Sequence, residues 1–190
     1  MLKTIFFDLD DTLLDFTRAE AEALRRALTE ADVPAGAEVL RRYHEINAAQ
    51  WELLEEGKLT RDQVLVRRFE LLFGELGLSR PAGRICLQYE EYLKQGHWFV
   101  PGAQALLAEL SPRYGLYLAS NGSAAVQHSR LDSAGIRPYF RDIFISEEMG
   151  ADKPGQAFFE ACFARIPGFS RETALMVGDS LTSDIRGGRN

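Results

Sequence analysis

The sequence predicts an α/β fold: a parallel sheet core interrupted, after its first strand, by an inserted helical domain. Three observations carry this. Ile5-Phe6-Phe7 is an apolar run without alternation, as in a strand covered on both faces. Residues 98–190 alternate short apolar strands with helix-length segments, the rhythm of βαβ units and right-handed crossovers. Between these regions lie four helical patterns in succession with no strand among them.

The first strand runs straight into Asp8-Leu9-Asp10-Asp11-Thr12-Leu13. If the backbone stays extended there, Asp8 and Asp10 lean to one side and Asp11 to the other. Phe16 to about Ala31 reads as a helix, with Ala19, Ala23, Leu24, Ala27 and Leu28 on one stripe and Asp15 or Thr17 as its cap; Pro34-Ala35-Gly36 ends it. A second helix covers Glu38 to Glu55. The third opens on Thr60-Arg61-Asp62-Gln63, which fits a capping box, and runs to about Leu76; the fourth spans Gly83 to Lys94. The pattern then changes to helix Pro101–Leu110, strand Gly115–Ala119 ending in Ser120-Asn121-Gly122, helix Ala124–Ser133 and strand Phe140–Ile145. Helix Gln156–Arg165 and strand Thr173–Val177, ending in Gly178-Asp179, complete it. The predicted core is therefore residues 1–14 plus 98–190, and residues 15–97 form the helical cap. Two chain crossings, near residues 13–16 and 95–101, make a hinge on which the insert can act as a lid.

At 190 residues, 46% of them hydrophobic and 26% charged, the chain suits one globular domain carrying a modest insert. A net charge of −6 argues against nucleic acid as the main partner, yet leaves room for a small phosphorylated substrate held by a local cluster of donors. Cys86 and Cys162 lie far apart with neither metal-ligand nor disulfide spacing, which points to a reducing compartment. There is no signal-peptide pattern and no apolar stretch of membrane-spanning length, so a cytoplasmic protein without a membrane partner is expected. The oligomeric state is not legible.

Ligands of open parallel sheets bind at the carboxyl ends of strands. Here those ends carry Asp8 and Asp10, then Ser120-Asn121, then a loop with Lys153, then Asp179. Each feature has a plainer meaning by itself: acids that cap a helix, an Asn-Gly turn, an exposed lysine before a helix-starting proline, a capped turn over residues 178–184. Together, each at its own strand end, they suit phosphoryl transfer. Asp8 is placed to attack phosphorus and Asp10 to act as general acid and then base. Mg²⁺ held by Asp8 and Asp179 lets an anionic nucleophile approach a phosphate. Ser120, Asn121 and Lys153 are the candidate phosphate binders, and Asp184 stands behind the metal's waters or Lys153.

Asp8-Leu9-Asp10-Asp11-Thr12, Ser120-Asn121, Lys153-Pro154 and Gly178-Asp179 to Asp184 resemble, in order and spacing, the four motifs of the haloacid dehalogenase superfamily of hydrolases. The resemblance covers essentially the whole chain. It implies a Rossmann-like core with a C1-type helical cap, an aspartyl-phosphate intermediate on Asp8, and acid/base chemistry at Asp10. It further implies Mg²⁺ bound by Asp8, the Asp10 carbonyl and Asp179, with Thr12 and Asp184 in support. Details such as Phe7 to Phe16 and Glu56-Gly57-Lys58-Leu59-Thr60 are similar to pyrimidine 5′-nucleotidases, which implies a nucleoside monophosphate as the small partner. A sugar-phosphate phosphatase or phosphomutase on the same core, and a catalytically silent phosphate- or protein-binding module, are the alternatives. Dehalogenase chemistry is disfavoured, because it has no leaving group for Asp10 to protonate. Members of the superfamily continue past Gly187-Gly188 through a helix and at least one more strand, so the C-terminal part of the core is expected to be missing and one sheet edge open.

Specificity is expected in the insert. Tyr43, Asn47 and Trp51 share a helix face that would either stack on a base and bond to its edge or pack against neighbouring helices. Lys58 either reaches substrate or lies exposed, and Arg67 and Arg68 either both solvate a helix face or send one of the two inward. His44, His97 and His128 fall near no motif and are expected to pack or lie at the surface.

Overall fold

The computed structural model describes residues 1–190. It divides into two compact units, Met1–Phe16 with His97–Asn190, and Thr17–Gly96. No helix is long and apolar enough to cross a membrane.

The first unit is a four-stranded sheet of β1 (Thr4–Phe7), β2 (Gly115–Ser120), β3 (Asp142–Ile145) and β4 (Ala174–Val177), all parallel, in the order β3-β2-β1-β4. The unalternating Ile5-Phe6-Phe7 is explained by cover on both faces. Ile5 and Phe7 pack with Leu116, Leu118 and residues of α5 (Ala103–Leu110) and α6 (Ala124–Ser133). Phe6 faces the other way, toward Tyr117, Phe144 and the aromatic side of α8 (Gln156–Ala164). β4 is an outer strand, with Leu175 47% exposed.

Three departures from expectation have local causes. β3 starts at Asp142 rather than Phe140, because Arg137-Pro138-Tyr139 form a 3₁₀ turn and Pro138 brings no N–H to a ladder. β3 feeds directly into a short helix α7 (Ser146–Met149), whose four residues are too few to show a helical period in the sequence. After β1 the chain does not stay extended. Asp8 N–H still bonds to Val177 O at 2.9 Å, but Leu13 and Leu14 N–H both converge on Leu9 O, and Asp11 takes a left-handed φ of 51°. Strand alternation therefore does not place Asp10; a turn does. Beyond Asp179, residues Leu181–Ile185 form a π-turn leading into α9 (Arg186–Arg189).

In the second unit, α1 (Phe16–Glu30), α2 (Ala37–Glu55), α3 (Arg61–Glu75) and α4 (Ala82–Leu93) follow one another as the periodicity indicates. The Thr60/Gln63 capping box forms in both directions, at 3.4 Å and 2.9 Å. The rings of Tyr43, Phe69 and Tyr89 meet at centroid distances of 5.0 to 5.7 Å. Of the two arginines, Arg68 is the one that bends inward: it is 2% exposed and lies against these three rings, whereas Arg67 is exposed. The planar, weakly hydrated guanidinium tolerates aromatic walls where an ammonium would not.

Leu118 sits in β2 with no exposed surface, in the cluster shared with Ile5 and Phe7. Leu118→Ala is expected to cost roughly 2–5 kcal/mol by cavity formation, read as a lowered urea midpoint at unchanged slope.

Candidate active site

The site is assembled in the first unit from four strand-end loops. Asp8, at the end of β1, and Asp184, in the π-turn after β4, share one cation. Lys153 Nζ donates to Asp8 Oδ1 at 2.6 Å, to Asp184 Oδ1 at 2.6 Å and to Ala119 O at 2.7 Å. These bonds use all three ammonium hydrogens, and Lys153 is 1% exposed. Asp8 Oδ2 carries no hydrogen bond.

The loop that delivers Lys153 is pinned by Asn121. Its Oδ1 accepts from Lys153 N–H at 2.8 Å and its Nδ2 donates to Lys153 O at 2.9 Å. The Asn121 side chain is therefore a strut between two loops, both polar ends of its amide being taken up by the Lys153 backbone, and the phosphate-binding expectation at this position falls on its backbone N–H. Ser120 is 1% exposed, and its Oγ accepts from Gly122 N–H at 3.2 Å.

Asp179 is tied to the first loop through Thr12. Its backbone N–H donates to Thr12 Oγ1 at 3.1 Å, and that hydroxyl faces Asp179 Oδ1 at 3.4 Å. Carboxylate oxygens of Asp8, Asp179 and Asp184 lie within 4.8 Å of one another. Asp184 is already committed, with Oδ1 on Lys153 and Oδ2 accepting Ser180 N–H at 3.2 Å. Its close fit against Gly178 is obligatory, since a Cβ there would lie 2.1 Å from Asp184 Oδ2.

Asp10 faces a different set of partners, from α6. Arg130 Nη1 pairs with Asp10 Oδ1, and Gln127 Nε2 donates to Asp10 Oδ2 at 2.7 Å and to Ser120 Oγ at 2.8 Å. Arg130 has no exposed surface. Neither residue falls in one of the sequence motifs. The available signal was their i, i+3 spacing on a helix that begins just past Ser120.

Burial pushes the Asp8 carboxyl up to about 7, opposed by the Lys153 charge and aided by Asp184 and Asp10. Burial alone would lower the Lys153 ammonium, but Asp8 and Asp184 together outweigh it and raise it. Asp179 is also raised, by desolvation first and by Asp184 second. Each shift expresses acids crowded in a place poor in water.

The residues singled out in the helical unit lie among its own helices. Asn47 is 3% exposed; its Nδ2 donates to Glu20 at 2.7 Å, and its Oδ1 accepts from Trp51 Nε1 and Arg68 Nη1, both at 3.0 Å. Tyr43 is buried in the ring cluster, and Lys58 is exposed beside Glu56. His44 pairs with Glu20, and His128 with Glu148.

A parallel sheet with an acidic, lysine-centred cluster at its carboxyl end defines a hydrolase of a known kind. The sequence profile of the haloacid dehalogenase-like hydrolases matches residues 2–190, and the chain belongs to that family. Among its relatives, HAD-hydrolase YfnB of Bacillus subtilis is 41% identical over 98% of this chain and 80% of its own length. Pyrimidine 5′-nucleotidase PynA of Streptococcus pneumoniae is 42% identical over 99% and 80%, and pyrimidine 5′-nucleotidase YjjG of Escherichia coli 32% over 98% and 81%. The crystal structure of YfnB bound to magnesium superposes with a TM-score of 0.96, covering 99% of this chain and 84% of that one. L-2-haloacid dehalogenase PA0810, at 19% identity and TM-score 0.76, shares the fold. The protein is thus an enzyme, a HAD-family phosphatase with nucleotidase homologues.

In the metal-free protein, Asp8 is expected to titrate near pH 7 instead of near the usual 3.8. The folded chain then holds a proton that the unfolded chain releases, so this group makes folding less favourable as pH rises from about 4 to 7. Carbon-13 NMR of the Asp8 carboxyl, assigned with Asp8→Asn, reads this directly; a midpoint near 4 contradicts it.

Proposed function

We propose that the enzyme hydrolyses phosphate monoesters through an aspartyl-phosphate on Asp8, with pyrimidine nucleoside 5′-monophosphates as substrates. The observation that carries this is the Lys153 ammonium locked between two buried carboxylates, with Asp8 Oδ2 left unbonded as the attacking oxygen.

In the first step Asp8 Oδ2 bonds to phosphorus, the ester P–O bond breaks, and the leaving oxygen takes a proton from Asp10. In the second, water attacks the acyl phosphate and gives its proton to Asp10, which releases phosphate and restores Asp8. Lys153 keeps the Asp8 carboxylate oriented throughout, and the Ser120 hydroxyl binds a phosphoryl oxygen.

The acids present fit a hard divalent cation. Asp8 and Asp179 offer oxygens in one small space, and the charge of Lys153 does not balance the cluster. Those two carboxylates, with the Asp10 carbonyl, would hold Mg²⁺. When bound, the ion neutralises charge between nucleophile and phosphate. Free, buried Cys86 and Cys162 suit a cytoplasmic enzyme.

The nucleotide assignment draws on PynA and YjjG, at 42% and 32% identity. A smaller sugar phosphate is the second reading, favoured by glyceraldehyde 3-phosphate phosphatases of Methanopyrus kandleri and Pyrococcus abyssi at 32% and 33% identity.

Asp8→Asn is expected to lower kcat by about 10³-fold or more, and a chelator to abolish turnover that Mg²⁺ restores. Turnover that survives chelation or Asp8→Asn sinks the mechanism. In a panel of esters, uridine and deoxythymidine monophosphates should exceed glyceraldehyde 3-phosphate and hexose phosphates in kcat/KM; the reverse order transfers the assignment to the second reading.

A further inference from the structure

The three polar groups around Gln127 leave its amide one orientation. Arg130 Nη1 has two hydrogens; one goes to Asp10 Oδ1 and the other to Gln127 Oε1 at 3.0 Å. The amide oxygen must therefore face the guanidinium, and the NH₂ group must face Asp10 Oδ2 and Ser120 Oγ, at 2.7 Å and 2.8 Å. Both of its hydrogens are thereby spent. A flipped amide would set its oxygen against a carboxylate and its NH₂ against a guanidinium, so the network excludes it.

The consequence falls on Ser120. A hydroxyl has two acceptor lone pairs and one hydrogen to donate. Gln127 Nε2 and Gly122 N–H occupy both lone pairs, at 2.8 Å and 3.2 Å. The O–H hydrogen bonds to nothing within the protein, and the hydroxyl is obliged to act outward as a donor. A phosphoryl oxygen accepts only, so it meets the one capacity that Ser120 has left. Packing supports the same design: a Cβ on Gly122 would lie 2.3 Å from Gln127 Nε2, so the glycine leaves room for the amide to lie across it. Gln127 is 1% exposed.

We propose that Gln127, oriented by Arg130, is a positioning residue that turns the Ser120 hydroxyl into an obligate donor to the phosphoryl group and ties it to the general acid Asp10. The proposal rests on the phosphatase reading above and adds to it how one element, α6, aligns phosphate binding with proton transfer. Without the amide, the Ser120 hydroxyl is free to turn inward and donate to Asp10, and the donor is lost to substrate.

The test is a double-mutant cycle on the full chain with Mg²⁺, using kcat/KM for the best monoester and the competitive inhibition constant of inorganic phosphate. Gln127→Met keeps the shape and removes the donors. It is expected to lower kcat/KM roughly 10- to 100-fold and to weaken phosphate inhibition in parallel, as Ser120→Ala should. Because both act through one hydroxyl, the double variant should fall clearly short of the product of the single losses. A loss matching the product within about twofold, or Gln127→Met with wild-type constants, overturns the proposal. Gly122→Ala displaces the same amide without altering it and supplies the readout if Gln127→Met does not fold; unchanged constants there overturn the proposal equally. A wild-type enzyme inert toward every monoester sinks the phosphatase reading itself, and this inference with it, whereas an active wild type with an indifferent Gln127 sinks only the inference.

Discussion

A single buried ammonium organises the core of this enzyme. Lys153 spends its three hydrogens on Asp8, Asp184 and the Ala119 carbonyl, and so joins β1, the end of β2 and the π-turn after β4 at one atom. A buried charge left unpaired is strongly destabilising, so these contacts are mutually enforced. The charge does not balance, however. Asp8, Asp179 and Asp184 set three carboxylates against one ammonium, an excess of two negative charges when all are ionised. Burial first, and that excess second, raise the Asp8 and Asp179 carboxyl pKa values, and the excess makes the pocket receptive to a hard cation.

Asp10 is spared this imbalance because it faces another way. Its two oxygens are met by Arg130 and Gln127, on the first turns of α6. The two acids of one short motif thus have separate environments: Asp8 beside lysine and other carboxylates, Asp10 beside guanidinium and amide. Backbone geometry causes the separation. Asp8 is still held in the ladder by Val177, while the turn closed on Leu9 O carries Asp10 away from strand alternation. Different surroundings suit different duties, and the mechanism proposed above gives the bond to phosphorus to one acid and the proton to the other.

The helical unit has its own buried polar core. Glu20 and Arg68 carry opposite charges and do not touch; Asn47 lies between them, donating to one and accepting from the other. Three aromatic rings flank the guanidinium. Such a chain of hydrogen bonds fixes the relative rotation of α1, α2 and α3, because each partner is satisfied only in one register. It also occupies the Asn47 amide, which a helical wheel would offer to a ligand.

Much of this protein was legible in its sequence. The unbroken apolar strand, the run of four helices and the later strand–helix alternation sufficed for the fold class, because period and punctuation are local properties. The strand-end residues Asp8, Ser120, Lys153 and Asp179 were also legible, since parallel sheets gather their loops at one end. The partner of each group was not. Arg130 is 120 residues from Asp10, and nothing in helix α6 distinguishes an arginine that turns inward to a carboxylate from one that faces water. Asn121 reads as a turn residue until Lys153 folds back against it, and nothing within α3 says that Arg68 rather than Arg67 bends inward until Tyr43 of α2 and Tyr89 of α4 close over it beside Phe69. Sequence period states which face a residue occupies; only the meeting of distant segments states what that face meets, because hydrogen bonds and desolvation are decided at contact.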